Sequence, residues 1–188
     1  METPKRCYWV NPQNELYCRY HDLEWGTPIR DDQTMYELFL LETFQAGLSW
    51  YIVLSKREAF RKAFSNFYPA AIAAYDESDV ARLMQAEGIV RNRLKVLAAI
   101  TNARVFLAIQ KEFGSFAAYL WGFAPDGPIV SEKDEFPTSS PLSDAVSKDL
   151  KKRGMKFVGT VTMYSYLESV GVINDHEQAC FVMGELRG

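Results

Sequence analysis

The sequence predicts an all-α fold, and three observations support this class. Apolar residues recur at helical spacing in several segments, as at Leu94, Leu97 and Val105, whereas no convincing alternating strand pattern occurs. Capping residues precede these segments and glycines follow them. Apolar residues make up 48% of the 188 positions, which is enough for a hydrophobic core, so a single domain is expected.

The helices are predicted in order from their start and stop signals. Asp31 and Asp32 can cap a helix that Gly47 ends, and Ser49 can start a second helix that extends through Phe64. The later predicted helices begin near Pro69, Ser78, Asn92, Ser143 and Thr160, and the last four end near Gly88, Glu112, Lys152 and Val170. Residues 121–141 carry four prolines and are predicted to form a long loop.

Charge and composition exclude several classes of protein. The net charge is −3, so nucleic-acid binding would depend on a local basic face. No apolar run of about 18 residues predicts a membrane span, and the polar start does not resemble a signal peptide. The three cysteines are an odd number and do not suit a disulfide framework, so a reducing cytoplasm is expected.

Two pairs of cysteine and histidine form a candidate metal site. His176 and Cys180 are spaced i, i+4, which would place them on the same side of a helical turn. Cys7 and His21 are separated by thirteen residues, a gap that a folded loop can close. Together the four make a closed Cys2His2 set, typical of structural zinc. Cys18 is an alternative to Cys7, and the spacing does not choose between them. Without a metal, the same residues would be ordinary side chains.

A basic segment precedes a glycine turn in the last quarter of the chain. Residues 151–160 read KKRGMKFVGT, which predicts a tight turn between two helices. Basic side chains and the free backbone N–H groups at the start of the second helix favour an anion such as a DNA phosphate. The alternative is a solvated helix face. The candidate DNA-binding residues are Lys151, Lys152, Arg153, Gly154, Lys156, Gly159 and Thr160.

Aromatic residues cluster in the first fifty positions, and a carboxylate accompanies them. Glu42 falls on the apolar side of its predicted helix, opposite Gln33 and Glu37, which are expected to face water. A carboxylate in that place is costly unless it is paired or functional. Aromatic faces with one carboxylate suit a flat cationic ligand such as an alkylated base, although a small aromatic core is the alternative. The aromatic residues are Trp9, Tyr17, Tyr20, Trp25 and Trp50.

Several motifs match those of one known enzyme family. They are RCYW at 6–9, YHDLEWG at 20–26, LE at 41–42, QAGLSW at 45–50, IVRNR at 89–93, KKRGMKFVGT at 151–160, and NDH at 174–176 with Cys180. With these motifs the chain resembles the 3-methyladenine DNA glycosylase I family, one of the helix-hairpin-helix DNA glycosylases. The resemblance covers nearly the whole chain.

The resemblance implies a helix-hairpin-helix fold in which one structural zinc joins the N- and C-terminal segments. Its ligands fall on Cys7, His21, His176 and Cys180, which excludes Cys18. The hairpin corresponds to residues 154–159. The whole chain, 1–188, would be one domain, with a helical core at about 31–120 and a zinc-linked lobe formed by about 1–30 and 140–188.

The resemblance also implies an activity, hydrolysis of the N-glycosidic bond of N3-methyladenine in duplex DNA. Glu42 and Tyr20 would be catalytic, Trp50 would stack on the base, and the remaining aromatic residues would line its pocket. Many relatives in the superfamily carry an Asp just before the equivalent of His176, whereas this chain has Asn174. The missing Asp is tolerable because a cationic base is already a good leaving group.

Two other functions remain open at this point. A zinc-stabilised protein could bind damaged DNA without excising a base, and a zinc hydrolase would need a metal with an open coordination position. We also expect a monomer that acts on double-stranded DNA with alkylated bases, without membrane association. Its expected location is the cytoplasm, at the nucleoid when it acts on DNA.

Overall fold

The computed structural model describes residues 4–132 and 134–183, and it confirms the all-α class. Its α-helices are α1 (Glu15–Leu23), α2 (Asp32–Gln45), α3 (Trp50–Leu54), α4 (Arg57–Ala63), α5 (Pro69–Ala73), α6 (Glu77–Gln85), α7 (Arg93–Phe113), α8 (Phe116–Trp121), α9 (Pro141–Lys152) and α10 (Thr160–Ser169). A short 3-10 helix spans Ser65–Phe67. Two short strands, β1 (Ile129–Val130) and β2 (Ile173–Asn174), pair in parallel, with Ile129 opposite Ile173.

Several predicted helix starts are confirmed. The Asp31 carboxylate caps α2 by accepting the Thr34 N–H at 2.8 Å, and Asn92 caps α7. Pro69 is the first residue of α5, where its missing N–H costs nothing. Gly159 precedes α10, which begins at Thr160 as predicted, without a side-chain cap.

Other helix predictions were wrong. The helix predicted from Ser49 through Phe64 is divided into α3 and α4; at the break, the Ser55 hydroxyl donates to the Ile52 carbonyl. By contrast, the helix predicted to begin near Ser78 is confirmed as α6, which begins at Glu77 and is capped by the Asp76 carboxylate. The sequence prediction missed α1 and α8, which are short, and it missed the two strands.

Helix α2 runs through the interior of the molecule. All side chains at positions 35–44 are buried, so the helix has no water-facing side over these turns. The prediction that Glu37 faces water was therefore wrong. The Glu37 carboxylate is covered by two guanidinium groups of α4, with Arg61 Nη2 at 2.8 Å and Arg57 Nε at 2.5 Å. Pairing is what makes this carboxylate tolerable in the interior.

The N-terminal segment is attached to the end of α10 by backbone hydrogen bonds. The Gly26 N–H donates to the Glu168 carbonyl and the Ile29 N–H to the Val170 carbonyl, each at 3.0 Å. The backbones approach so closely that a Cβ at Gly171 would lie 2.2 Å from the carbonyl carbon of Thr27, and its φ of +70° also favours glycine. The sequence segment that carries the aromatic residues is thus held against α10.

The hydrophobic residues form one large cluster and one small cluster. The large cluster extends from Met35 to Ile173 and includes α9 and α10, whereas the small one contains Cys7, Tyr20 and Cys180. Apolar packing therefore does not separate α9 and α10 from the helical core. The division into a core and a zinc-linked lobe stays a prediction. Residues 1–3 and 184–188 of the predicted lobe lie outside the described part of the chain. A search of that described part finds no helix with the length and hydropathy of a membrane span.

Candidate functional site

The four predicted metal ligands lie together in the structure. The donor atoms of Cys7, His21, His176 and Cys180 all lie within 4.8 Å of one another, and all four residues are buried. Cys180 Sγ is 3.5 Å from His21 Nε2, which matches the edge of about 3.5 Å that tetrahedral Zn–S and Zn–N bonds would span. His176 and Cys180 lie in a turn outside the described helices, so the helical interpretation of their spacing was wrong.

Hydrogen bonds orient both imidazole rings for metal binding. His21 Nδ1 lies 2.8 Å from the Asp22 carboxylate, and His176 Nδ1 lies 2.8 Å from the Asn174 side-chain oxygen. Both partners accept, so each Nδ1 carries the proton and each Nε2 keeps its lone pair. His176 Nε2 is buried and has no hydrogen-bond partner. A metal ion would supply the missing partner.

The electrostatics of Cys7 and His176 also favour a metal ion at this site. Burial raises the pKa of the Cys7 thiol to about 12 and lowers the pKa of His176 to about 4. Burial thus holds thiol and imidazole neutral, and thiolate ligands form here only if a cation offsets their charge. Gly26 leaves room for the His176 ring, because a Cβ at position 26 would lie only 2.8 Å from that ring.

Cys18 does not take part in this cluster. Its thiol is half-buried and faces the carbonyl oxygens of Asn11 and Pro12, each at 3.7 Å. The geometry therefore selects Cys7 over Cys18, as the resemblance implied. Because four protein ligands close the coordination sphere, the arrangement lacks the open position that a zinc hydrolase needs.

A cavity of about 410 Å³ lies beside the metal cluster. It is lined by all six residues that the sequence placed in the base pocket: Trp9, Tyr17, Tyr20, Trp25, Glu42 and Trp50. The Trp50 and Tyr20 rings are 5.2 Å apart and tilted, and the Trp9 ring meets the Trp25 ring edge-on at 5.0 Å. The volume and the flat aromatic walls suit a purine-sized ligand. The individual roles of these residues stay predictions.

Aromatic contacts connect the cavity to the metal cluster. Trp25 lies 4.5 Å from the His176 ring, and Trp9 lies 5.4 Å from the His21 ring, measured between centroids. Both tryptophans also line the cavity. Movement of either histidine would therefore displace a wall of the cavity.

Glu42 presents an unsatisfied carboxylate to this cavity. Its side chain is 3% exposed, and its Oε2 atom has no hydrogen-bond partner. Burial raises its pKa to about 8. Trp50 Nε1, on another wall, is also buried and unpartnered. A ligand that brings a hydrogen-bond donor and positive charge to Glu42 would remove this cost.

The turn between Glu42 and Trp50 is held by a buried lysine. Lys95 of α7 donates from Nζ to the carbonyl oxygens of Phe44 and Ala46, at 2.7 and 2.6 Å, so it caps the C-terminal end of α2. The same ammonium lies 5.8 Å from the ring centre of Phe157 in the hairpin. Lys95 thus connects the cavity turn with the hairpin.

Replacing Lys95 with Met is expected to lower the free energy of unfolding by about 1–3 kcal/mol, because buried carbonyl groups lose their donor. Urea denaturation measures this difference. Lys111→Met on the exposed end of the same helix is the control and should change stability by less than about 0.5 kcal/mol. Equal effects of the two substitutions would show that the capping bonds contribute nothing.

The hairpin between α9 and α10 has the predicted glycine turn. Gly154 has a φ of +99°, which favours glycine, and the buried side chains of Met155 and Val158 anchor the turn. Asn102 of α7 holds the Lys156 peptide group from both sides, accepting its N–H at 2.8 Å and donating to its carbonyl at 3.0 Å. These bonds hold the hairpin against α7.

The predicted DNA-binding side chains differ in their surroundings. Lys151, Lys152 and Lys156 are exposed. The Arg153 guanidinium instead pairs with Glu112 and Asp149, both at 2.6 Å, so it holds α9 against α7. The exposed lysines are therefore better placed than Arg153 to meet a phosphate.

Helix α10 connects the hairpin to the cavity. Its residues Val161, Tyr164, Ser165 and Glu168 recur at helical spacing and line one wall. Sequence reasoning missed this wall, including Glu168, a second carboxyl. The sequence did contain a pattern that could have indicated Glu168. This carboxyl interrupts a largely apolar stretch from Tyr166 to Ile173, as Glu42 does in α2.

Known proteins resemble this chain over nearly its whole length. The model of the methyladenine glycosylase family matches residues 9–183. The chain is 46% identical to DNA-3-methyladenine glycosylase 1 of Escherichia coli (strain K12) over 179 residues, covering 94% of this chain and 95% of the relative. It is 42% identical to DNA-3-methyladenine glycosylase of Haemophilus influenzae over 178 residues, covering 93% and 96%.

Solved structures show the same fold. A crystal structure of a 3-methyladenine DNA glycosylase I superimposes with a TM-score of 0.90 at 48% identity, covering 94% of this chain and 98% of that one. The Staphylococcus aureus enzyme, whose structure was described for its recognition of 3-methyladenine, also gives a TM-score of 0.90, at 34% identity, covering 94% and 95%. The chain therefore belongs to the methyladenine glycosylase family.

Proposed function

We propose that this protein excises 3-methyladenine from alkylated DNA by hydrolysing the N-glycosidic bond. The observation that carries the proposal is the buried, unpartnered Glu42 carboxyl in an aromatic cavity of about 410 Å³. The relatives named DNA-3-methyladenine glycosylase support the same activity.

The size and the aromatic walls of the cavity suit a nucleotide base that has left the base stack. Methylation weakens the stacking and pairing of the base, and this lowers the cost of extrusion. The purine would stack on Trp50, and Glu42 would accept a hydrogen bond from its amino edge. Tyr20, whose ring lies beside Trp50, would define the width of the slot.

Charge is the expected basis of selectivity. N3-methyladenine is cationic while it is bound to deoxyribose, whereas adenine is neutral. Aromatic faces and a desolvated carboxylate favour the cation. Burial holds the pKa of Glu42 at about 8 in the free protein, so binding of a cation at neutral pH would displace the Glu42 proton.

The chemical step then needs little acid catalysis. The C1′–N9 bond breaks with its electron pair going to the base, which leaves as neutral 3-methyladenine. Water adds to the sugar carbon and loses a proton, giving an abasic site. Glu42 and the aromatic walls would act by holding the base while its positive charge passes to the sugar.

We further propose that the metal is zinc. Cys7 and Cys180 would bind it as thiolates, and His21 and His176 through Nε2, the set that structural zinc prefers. The ion would supply no step of the reaction. It would hold Trp9 and Trp25 in place through the histidine rings that they contact.

The proposed partner is double-stranded DNA, bound by the hairpin. Exposed lysines and the N-terminal N–H groups of α10 would contact the phosphates, and the cavity wall begins at Val161 in the first turn of the same helix. We propose that the protein acts as a monomer in the cytoplasm, at the nucleoid.

Replacing both Lys151 and Lys152 with Ala is expected to weaken DNA binding equally for all sequences. Two lost phosphate contacts should reduce the slope of log K against log salt by about 2. Titration of duplex DNA at several salt concentrations measures the slope. Lys62→Ala on exposed α4 is the control. An unchanged slope in the double variant would exclude these lysines as phosphate contacts.

The function is tested by incubating the protein with methylated DNA and identifying the released bases by chromatography. Free 3-methyladenine, and abasic sites in equal number, are the expected result. Specific binding to the methylated duplex without any released base would contradict the proposal and indicate a damage-binding module.

A further inference from the structure

The cavity contains a second carboxyl group, which the proposed function does not use. Glu168 lies near the C-terminal end of α10, four residues after Tyr164, and it lines the same cavity as Glu42. The two carboxyl groups therefore reach the cavity from different helices. The position of Glu168 is secured by its own backbone, because its carbonyl oxygen accepts the N–H of Gly26 at 3.0 Å.

The surroundings of Glu168 are acidic. Burial and the charges of Asp175 and Glu42 raise its pKa well above the ordinary value. Asp175 accepts a hydrogen bond from the Tyr164 hydroxyl. In the described part of the chain, no salt bridge reaches Glu168, and the residues that line the cavity include no Lys, Arg or His.

Glu42 is buried with an unpartnered oxygen, and Glu168 is half-buried, so ionisation of both carboxyl groups around one cavity opposes folding. Each costs desolvation energy, and each makes ionisation of the other less favourable. A protein with no use for the second carboxyl would lower this cost with an amide or an apolar residue. A cationic ligand offsets this cost, since its positive charge stabilises the ionised form of both carboxyl groups.

We propose that Glu168 is a second specificity-determining residue, which together with Glu42 selects a positively charged alkylated nucleotide over a neutral one. The inference rests on the proposed excision activity. Glu42 would meet the base edge, and Glu168 would add negative potential from the α10 wall. Neutral adenine gains nothing from this potential, so the second carboxyl enlarges the preference for the damaged base.

Glu168→Gln separates charge from shape, because the amide has nearly the same size. Two duplexes form the matched pair of probes: one carries 3-methyladenine, and the other carries 3-deaza-3-methyladenine, a neutral base of the same shape. We expect the variant to excise 3-methyladenine at least about tenfold more slowly in single-turnover assays. Its affinity for the neutral duplex should stay within about twofold of the wild type.

Glu87→Gln is the control, since it removes one negative charge from an exposed position outside the cavity. Glu168→Asp retains the charge but shortens the side chain, and its rate should fall between those of wild type and Glu168→Gln. If the amide variant does not fold, Glu168→Asp still tests the proposal through the position of the charge: its excision of 3-methyladenine should fall while its affinity for the neutral duplex stays within about twofold of the wild type.

Two results would overturn the inference. One is excision by Glu168→Gln at the wild-type rate. The other is an equal loss of excision and of neutral-duplex affinity with a lower melting temperature, which would make Glu168 a structural residue only. A wild-type protein that releases no 3-methyladenine would instead refute the proposed function.

Discussion

Glu42→Gln is expected to abolish most excision and yet to stabilise the protein at neutral and alkaline pH. The carboxylate is buried at 3% exposure with one oxygen unpartnered, so it serves the ligand and not the fold. A charge-assisted hydrogen bond contributes about 1.5–3 kcal/mol, and its loss predicts a rate lower by about 10- to 100-fold. Single-turnover excision of 3-methyladenine measures this loss.

The stability difference should depend on pH in a defined direction. Burial raises the pKa of Glu42 from 4.5 to about 8. Below about pH 4.5 the carboxyl is protonated in both the folded and the unfolded state, so it has no net effect. Between about pH 4.5 and 8 the unfolded state ionises first, and the wild type progressively loses stability that the Gln variant keeps. Above about pH 8 the variant should be more stable by up to about 5 kcal/mol.

Urea denaturation of both proteins at each pH tests this expectation, and effects shared by the two proteins cancel in the difference. Glu37→Gln is the matched control, with the same substitution on the same helix. Glu37 is paired with Arg57 and Arg61, so its loss leaves guanidinium groups without a partner and should destabilise the protein. A Glu42→Gln variant with wild-type excision would refute the assigned role.

Removing the metal is expected to have the largest effect on stability. Binding of zinc by a buried Cys2His2 set contributes many kcal/mol to folding, so Cys180→Ser should lower the free energy of unfolding by several kcal/mol. The melting temperature and the zinc content per chain measure the effect. Cys18→Ser is the control, since the Cys18 thiol faces two backbone carbonyl groups outside the cluster.

Loss of metal should also weaken base binding. Trp9 and Trp25 line the cavity and contact the histidine rings, so loosening of the histidines displaces two walls. Fluorescence titration with free 3-methyladenine at a temperature where the metal-free protein is still folded would show the loss. A metal-free protein with full thermal stability and full base affinity would refute this coupling.

Many helix boundaries and the composition of the site were predictable from local patterns. Asp31 and Asn92 mark helix starts by their own capping chemistry, which depends on the next three or four residues only. The break at Ser55 and the short helices α1 and α8 were not predictable in this way. Short helices are stabilised by packing against the rest of the fold, which a local pattern does not report.

The sequence by itself predicted the fold class, a Cys2His2 metal site and an aromatic set around Glu42. Residue spacing left Cys18 as an alternative to Cys7, and the family resemblance selected Cys7. These conclusions rest on residue types that are costly to bury or rare in combination. The tertiary structure confirmed that Cys7 and not Cys18 joins the cluster. It alone showed that Glu37 is paired inside the protein and that Glu168 lines the cavity of Glu42. The physical reason is that desolvation, pairing and metal geometry depend on neighbours in space. Positions 7 and 180 become neighbours only after folding, as do positions 42 and 168 around the cavity.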